Sequence, residues 1–175
     1  MNVICVVHHG LGVLSKNGEQ LQQLTSQSKI QLDKAVQEIL RRYPGERYSL
    51  SCSSIPEAQV SMRFLSVQLK DAAPGVILGS LDPQNTEFSL ALLDLIHDQK
   101  KWNGVRIWVS SFHHLAYAWN LTAAQTSKLR YYASPRVGPL IYPHGAMVLI
   151  DCVEETTELF MPPDEHDVES DPGPA

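Results

Sequence analysis

The sequence predicts an α/β fold: a three-layer α/β/α sandwich with a mainly parallel sheet and an antiparallel strand near one edge. Two observations predict it. Short apolar runs of strand length alternate with stretches whose apolar residues recur at helical spacing, the pattern of repeated β-α units. The last two strand-like runs, Gly145–Cys152 and Glu158–Met161, follow one another with no helical stretch between them. They therefore read as an antiparallel hairpin at, or next to, one edge of the sheet.

Each element has its own signal. Val3–Val7 is a continuous apolar run, as expected of a strand covered on both faces, and it stops at His8-His9-Gly10. After a polar loop, Leu32, Ala35, Val36, Ile39, Leu40 and Tyr43 fall at helical spacing, and Pro44-Gly45 ends that helix. Tyr48–Cys52 reads as a strand. Ala58, Met62, Leu65 and Leu69 mark the next helix, and Val76–Leu78 a short strand. Phe88, Ala91, Leu92, Leu95 and Ile96 mark a third helix before Asn103-Gly104. Val105–Ser111 is a strong strand pattern, and His114–Leu121 a short helix. No internal repeat is present.

A chain of 175 residues suits one domain, assigned to residues 1–161. Residues 162–175 form an acidic, proline-rich stretch whose only large aliphatic residue is Val168, so it reads as a disordered tail. Five of the 19 acids lie in that tail, which has no Lys or Arg. Residues 1–161 thus carry 14 acids against 14 bases, and the whole net charge of −5 belongs to the tail. A neutral domain argues against a broad nucleic-acid surface without arguing against an anionic ligand. No run of 18 apolar residues exists that would span a membrane, and the N-terminal apolar run lacks the basic flank and cleavage site of a signal peptide. Cys5, Cys52 and Cys152 are odd in number, far apart and set in apolar stretches. They read as buried free thiols in a reducing, cytoplasmic setting.

Chemistry in open α/β sheets gathers at the carboxyl ends of the parallel strands. Two strands end in histidine pairs, His8-His9 and His113-His114. His144, in Tyr-Pro-His-Gly, opens a later strand, and if that strand is antiparallel its start lies on the same rim. His97 and His166 read as solvated surface. The spacing matches no zinc motif, although His9, His113 and His144 would be a geometrically possible metal set. Gly10-Leu11-Gly12 follows the first strand as a dinucleotide fingerprint would, but Ser15 stands at its third glycine and Lys16-Asn17-Gly18 forms a turn where a helix should start. Phosphate-loop and nucleophile-elbow motifs are absent, and Asn120-Leu121-Thr122 matches a glycosylation sequon by chance. No cofactor is expected.

The strand ending Val6-Val7-His8-His9-Gly10 resembles the opening Arg-His-Gly of the histidine phosphatase (phosphoglycerate mutase-like) superfamily, in particular its short SixA-like phosphohistidine phosphatases. Further similarities occur in order: Leu24-Thr25 before the first helix, and Leu50-Ser51-Cys52-Ser53-Ser54 followed by Glu57-Ala58-Gln59 at the next strand–helix junction. Leu81-Asp82-Pro83 falls at an acidic loop, and Val109–His114 at the strand end that bears the second histidine. The resemblance spans residues 1–152 and departs at the residues that hold phosphate. The first arginine is His8, the second aligns with Pro56, and the nearest arginine is Arg63. The second histidine aligns with Phe112, or with His113 after a one-residue slip. Arginine supplies forked, permanently charged donors that histidine copies poorly.

What the resemblance implies is phosphoryl transfer with His9 as nucleophile, His113 or His114 stabilising the transferring group, and Asp82 or Glu87 protonating the leaving oxygen. Candidate binding residues are His8, His114, His144, Arg63 and Ser54, and Arg130 or Arg136 in the loop Leu129–Tyr142 would replace the missing arginines. The expected substrate is a phosphorylated protein or a small phosphoester. Two alternatives stand beside this reading: a pseudo-enzyme binding an anion or protein partner through a histidine-lined pocket, and a metal-binding histidine site. Trp108, being in a strand, is assigned to the core. The oligomeric state is not legible.

Overall fold

The structure is a computed structural model that describes residues 1–14, 21–69, 72–97, 102–125 and 142–163. The tail from residue 164 onward, with His166, the loop carrying Arg130 and Arg136, and the Lys16-Asn17-Gly18 turn lie outside the described residues. In chain order the elements are β1 (Asn2–His8), β2 (Gly12–Leu14), β3 (Leu21–Leu24), α1 (Ser26–Arg42), β4 (Tyr48–Cys52), α2 (Pro56–Gln68) and β5 (Ala73–Ile77). A 3-10 turn at Gly79–Leu81 leads to α3 (Phe88–His97), β6 (Gly104–Ser110), α4 (Phe112–Gln125), β7 (Met147–Asp151) and β8 (Thr156–Phe160).

Six of these strands form one sheet in the order β5-β4-β6-β1-β7-β8. The first four run parallel, and the β7–β8 hairpin adds two antiparallel strands at one edge. This is the α/β sandwich expected from the sequence. Alternation along β1 divides the core: Val3, Cys5 and Val7 pack with α1 and α2, whereas Ile4 and Val6 pack with α3, α4 and Trp108. All three cysteines are buried, and none is in a disulfide.

Helix α1 begins six residues before the first apolar residue of its pattern. Thr25 caps it, its hydroxyl accepting from the Ser28 amide at 3.1 Å. Ser28 and Gln31 lie buried on its inner face, and these polar residues hide the helical period there. Helix α4 likewise starts at Phe112, two residues before the expected position. The segment read as a polar loop contains a small antiparallel pair, β2 with β3, that does not join the main sheet. Strand β5 starts at Ala73, not Val76. All five of its residues are exposed and it includes Pro74, which an edge position tolerates, so no burial pattern marks it.

Candidate functional site: a histidine cluster at the carboxyl edge

The carboxyl end of β1 delivers two successive histidines to the sheet rim. His8 continues the parity of Ile4 and Val6 toward α4, and its ring meets Phe112 at 6.3 Å between centroids. His9 turns toward α2, where Glu57 lies close enough to act on it electrostatically. The third histidine comes from 135 residues away. β7 pairs antiparallel with β1 (Val7 opposite Met147), and the bonds His8 N–H to Ala146 O (2.8 Å) and Gly145 N–H to His8 O (3.0 Å) extend that pairing to the rim. A tight turn, closed by Ala146 N–H donating to Pro143 O at 3.0 Å, then projects His144 over the end of β1. Gly145 carries this turn at φ +77°, and a Cβ there would meet the Gln31 carbonyl oxygen at 2.6 Å. Only glycine fits.

Gly10 is constrained by space. A Cβ on it would lie 2.8 Å from the Ser28 Cβ and 3.0 Å from Leu24. The backbone beyond His9 is held by two helix serines. Gly10 N–H donates to Ser61 Oγ (2.9 Å), and Leu11 N–H to Ser28 Oγ (2.8 Å). Sequence reasoning missed both serines. Their signal was a small polar residue on the apolar face of a helix, Ser28 one turn before Leu32 and Ser61 one turn before Leu65.

The three imidazoles converge. Centroids of His8 and His144 are 4.6 Å apart, His8 and His9 5.1 Å, and His9 and His144 6.1 Å. One ring nitrogen from each lies within 4.8 Å of the others. Their hydrogen bonds fix the tautomers, because a carbonyl oxygen only accepts. His8 Nδ1 donates to Tyr142 O and Pro143 O (3.1 Å each), His9 Nδ1 to Gly10 O (3.0 Å) and His144 Nδ1 to His9 O (2.6 Å). Each Nε2 is left with its lone pair. Burial pushes the His8 pKa down to about 4, and a positive charge on His9 or His144 would lower it further, with the Pro143 and Tyr142 carbonyls opposing. The His9 pKa is also lowered, chiefly by burial, against the opposing pull of the Gly10 carbonyl and Glu57. At neutral pH His8 and His9 are uncharged.

The other candidates lie apart from this cluster. Of the residues left open for the second-histidine position, Phe112 faces His8. The His113 ring lies tilted against Phe112 (3.7 Å between centroids) and, with His114, Phe88, Tyr117 and neighbours, lines a separate cleft of about 350 Å³. His114 is buried against Phe88 with its ring parallel at 4.0 Å, and its Nδ1 bonds Ser110 Oγ at 2.7 Å. Its pKa is lowered by burial first. Asp82 is bound by the Ser54 amide (2.5 Å) and hydroxyl (2.9 Å), and with Ser54 it lines another cleft, of about 570 Å³. Arg63 lies on the exposed side of α2 with its Nε on the Gln59 carbonyl. Glu87 is exposed, its amide held by Asn85. Two buried hydroxyls at the same sheet edge, Ser53 and Ser111, have no hydrogen-bond partner among the described residues. In place of His9, His113 and His144, the histidines whose ring nitrogens come together are His8, His9 and His144.

No protein-family model matches the chain, and no curated protein matches it in sequence. Solved structures do match. A phosphoglycerate mutase from Plasmodium falciparum superposes with TM-score 0.56 at 16% identity, covering 99% of this chain and 95% of that one. The protein histidine phosphatase SixA complexed with tungstate gives 0.59 at 14% identity, with 90% and 94% covered. A SixA described as a putative phosphohistidine phosphatase, from Agrobacterium tumefaciens, gives 0.58 at 12%, with 86% and 91% covered. This chain has the histidine phosphatase fold. The histidine cluster lies at the carboxyl edge of this sheet, where β1 ends at His8. Among the described residues, no helix is long and apolar enough to cross a membrane.

Proposed function

We propose that this chain uses the histidine phosphatase fold as a binding protein, with a histidine-lined pocket that captures a ligand and does not turn over phosphoesters. One observation carries the reading. The clustered rings hold their protons on backbone carbonyls, and the acidic side chain acting on His9 is Glu57. The pocket therefore offers lone pairs and negative charge where phosphoryl transfer needs charged donors. Loss of one preorganised oxyanion donor costs about 10²–10³ in rate. Here His8 and Pro56 align with the two arginine positions, and Phe112, one of the residues aligned with the second histidine, faces His8. Three buried cysteines outside any disulfide support a cytoplasmic setting.

A second reading has its own observation. His9 Nδ1 donates to Gly10 O, which leaves Nε2 free as a nucleophile toward a phosphorylated protein or small phosphoester. Two of the structural neighbours were captured with oxyanions, tungstate and VO3. The deciding experiment measures hydrolysis of p-nitrophenyl phosphate and of a phosphohistidine peptide between pH 5 and 8, for the native chain and His9→Ala. The expected result is no difference between the two proteins. Turnover that disappears in His9→Ala would establish the second reading and remove the first.

A further inference from the structure

We infer that the pocket's ligand is a divalent transition metal ion of the zinc class, held by His8, His9 and His144. The inference rests on the binding-protein reading, because a His9 Nε2 committed to a metal has no lone pair left for phosphorus. Three features of the cluster support it together. One ring nitrogen from each histidine already lies within 4.8 Å of the others. A tetrahedral zinc at about 2.0–2.1 Å from each nitrogen sets ligand separations of about 3.4 Å, so closure needs modest ring rotations. His9 and His144 are only half-buried, while His8 is buried and held by two carbonyls.

The second feature is the outer hydrogen bonding. Metal-bound histidines almost always donate their other ring N–H to a carbonyl or carboxylate, which fixes tautomer and ring orientation. All three rings here donate Nδ1–H to backbone carbonyls: His8 to Tyr142 and Pro143, His9 to Gly10, and His144 to His9. In the last bond one member of the set orients on the backbone of another. The third feature is charge. Glu57 acts electrostatically on His9 and favours a cation there, and no Lys or Arg is among the groups acting on His8 or His9. Three protein nitrogens leave a fourth position for water or an anion, which would return to this edge of the sheet the positive charge that its arginines do not supply.

The test titrates tag-free, chelator-stripped full-length protein with cobalt(II) and zinc(II), reading visible absorption for cobalt and calorimetry for zinc. One equivalent per chain is expected, with the intense absorption of four-coordinate cobalt. His9→Ala and His144→Ala should each weaken binding by more than tenfold, while His97→Ala on α3 should bind as the native chain does. Circular dichroism confirms that the variants fold. Should His8→Ala not fold, the His9 and His144 variants still decide the matter. Absence of stoichiometric binding at micromolar metal, or undiminished binding by both variants, would overturn the inference. Failure here leaves the binding-protein reading standing if phosphoester turnover is also absent. His9-dependent turnover in the metal-free protein would remove both.

Discussion

Lowering the pH should destabilise the metal-free protein through His8 in a way that His8→Gln removes. His8 is 7% exposed, its Nδ1–H is shared by two carbonyls, and its pKa falls to about 4 against an ordinary 6.5. Between those values the unfolded chain carries a proton on this ring and the folded chain does not. Stability from the neutral ring is therefore fully present above pH 6.5 and is lost as pH falls toward 4. At 1.36 kcal/mol per pH unit, the gap corresponds to about 3 kcal/mol for one group. The assay is urea denaturation of both proteins with chelator present at pH 7 and pH 4. Glutamine retains an N–H donor for the carbonyls but does not titrate. The native chain should lose about 3 kcal/mol more than His8→Gln across this window, since the remaining carboxylates and histidines titrate in both. A parallel check is the His8 ring proton resonance, whose titration midpoint should lie below pH 5. Equal losses in the two proteins, or a midpoint near 6.5, would refute a buried neutral His8.

Gly145→Ala should cost more than about 2 kcal/mol in thermal or urea unfolding, because it combines a left-handed backbone with a 2.6 Å approach to the Gln31 carbonyl. Thr25→Ala should cost about 1 kcal/mol, the value of an N-cap bond, without altering the histidine cluster. Glu57→Gln should move the His9 titration midpoint further down, since the carboxylate raises it, and NMR titration reads that directly. Ser110→Ala removes a hydroxyl that donates to Leu81 O and accepts from His114, both at 2.7 Å. It should destabilise the fold by about 1–3 kcal/mol in urea while leaving His9 unaffected.

Much of the architecture was legible because its causes are local. The apolar run Val3–Val7 reads as a strand with both faces covered, and β1 is buried along its whole length between two helical layers. The absence of a helix between the last two runs implied the hairpin, and β7 and β8 form it. What escaped has local causes too. Strand β5 is exposed throughout, so nothing apolar marked its start, and α1 hides its first turns behind the buried Ser28 and Gln31.

The site divides along the same line. Reading residues alone was enough to place His8 and His9 at a strand end and to flag His144 on condition that its strand ran antiparallel. Choosing among Phe112, His113 and His114 was beyond it, because neighbours on a helix point about 100° apart and a one-residue slip changes the face. With α4 starting at Phe112, that ring turns toward His8, and His113 lines a cleft with His114. Glu57 was passed over for the same reason: its partner lies 48 positions away, and only packing of α2 beside the end of β1 brings the two together. Periodicity and strand-end chemistry are properties of short segments. The meeting of His144 with His8 and His9 depends on an antiparallel register and a glycine turn pressed against α1, which no short segment encodes.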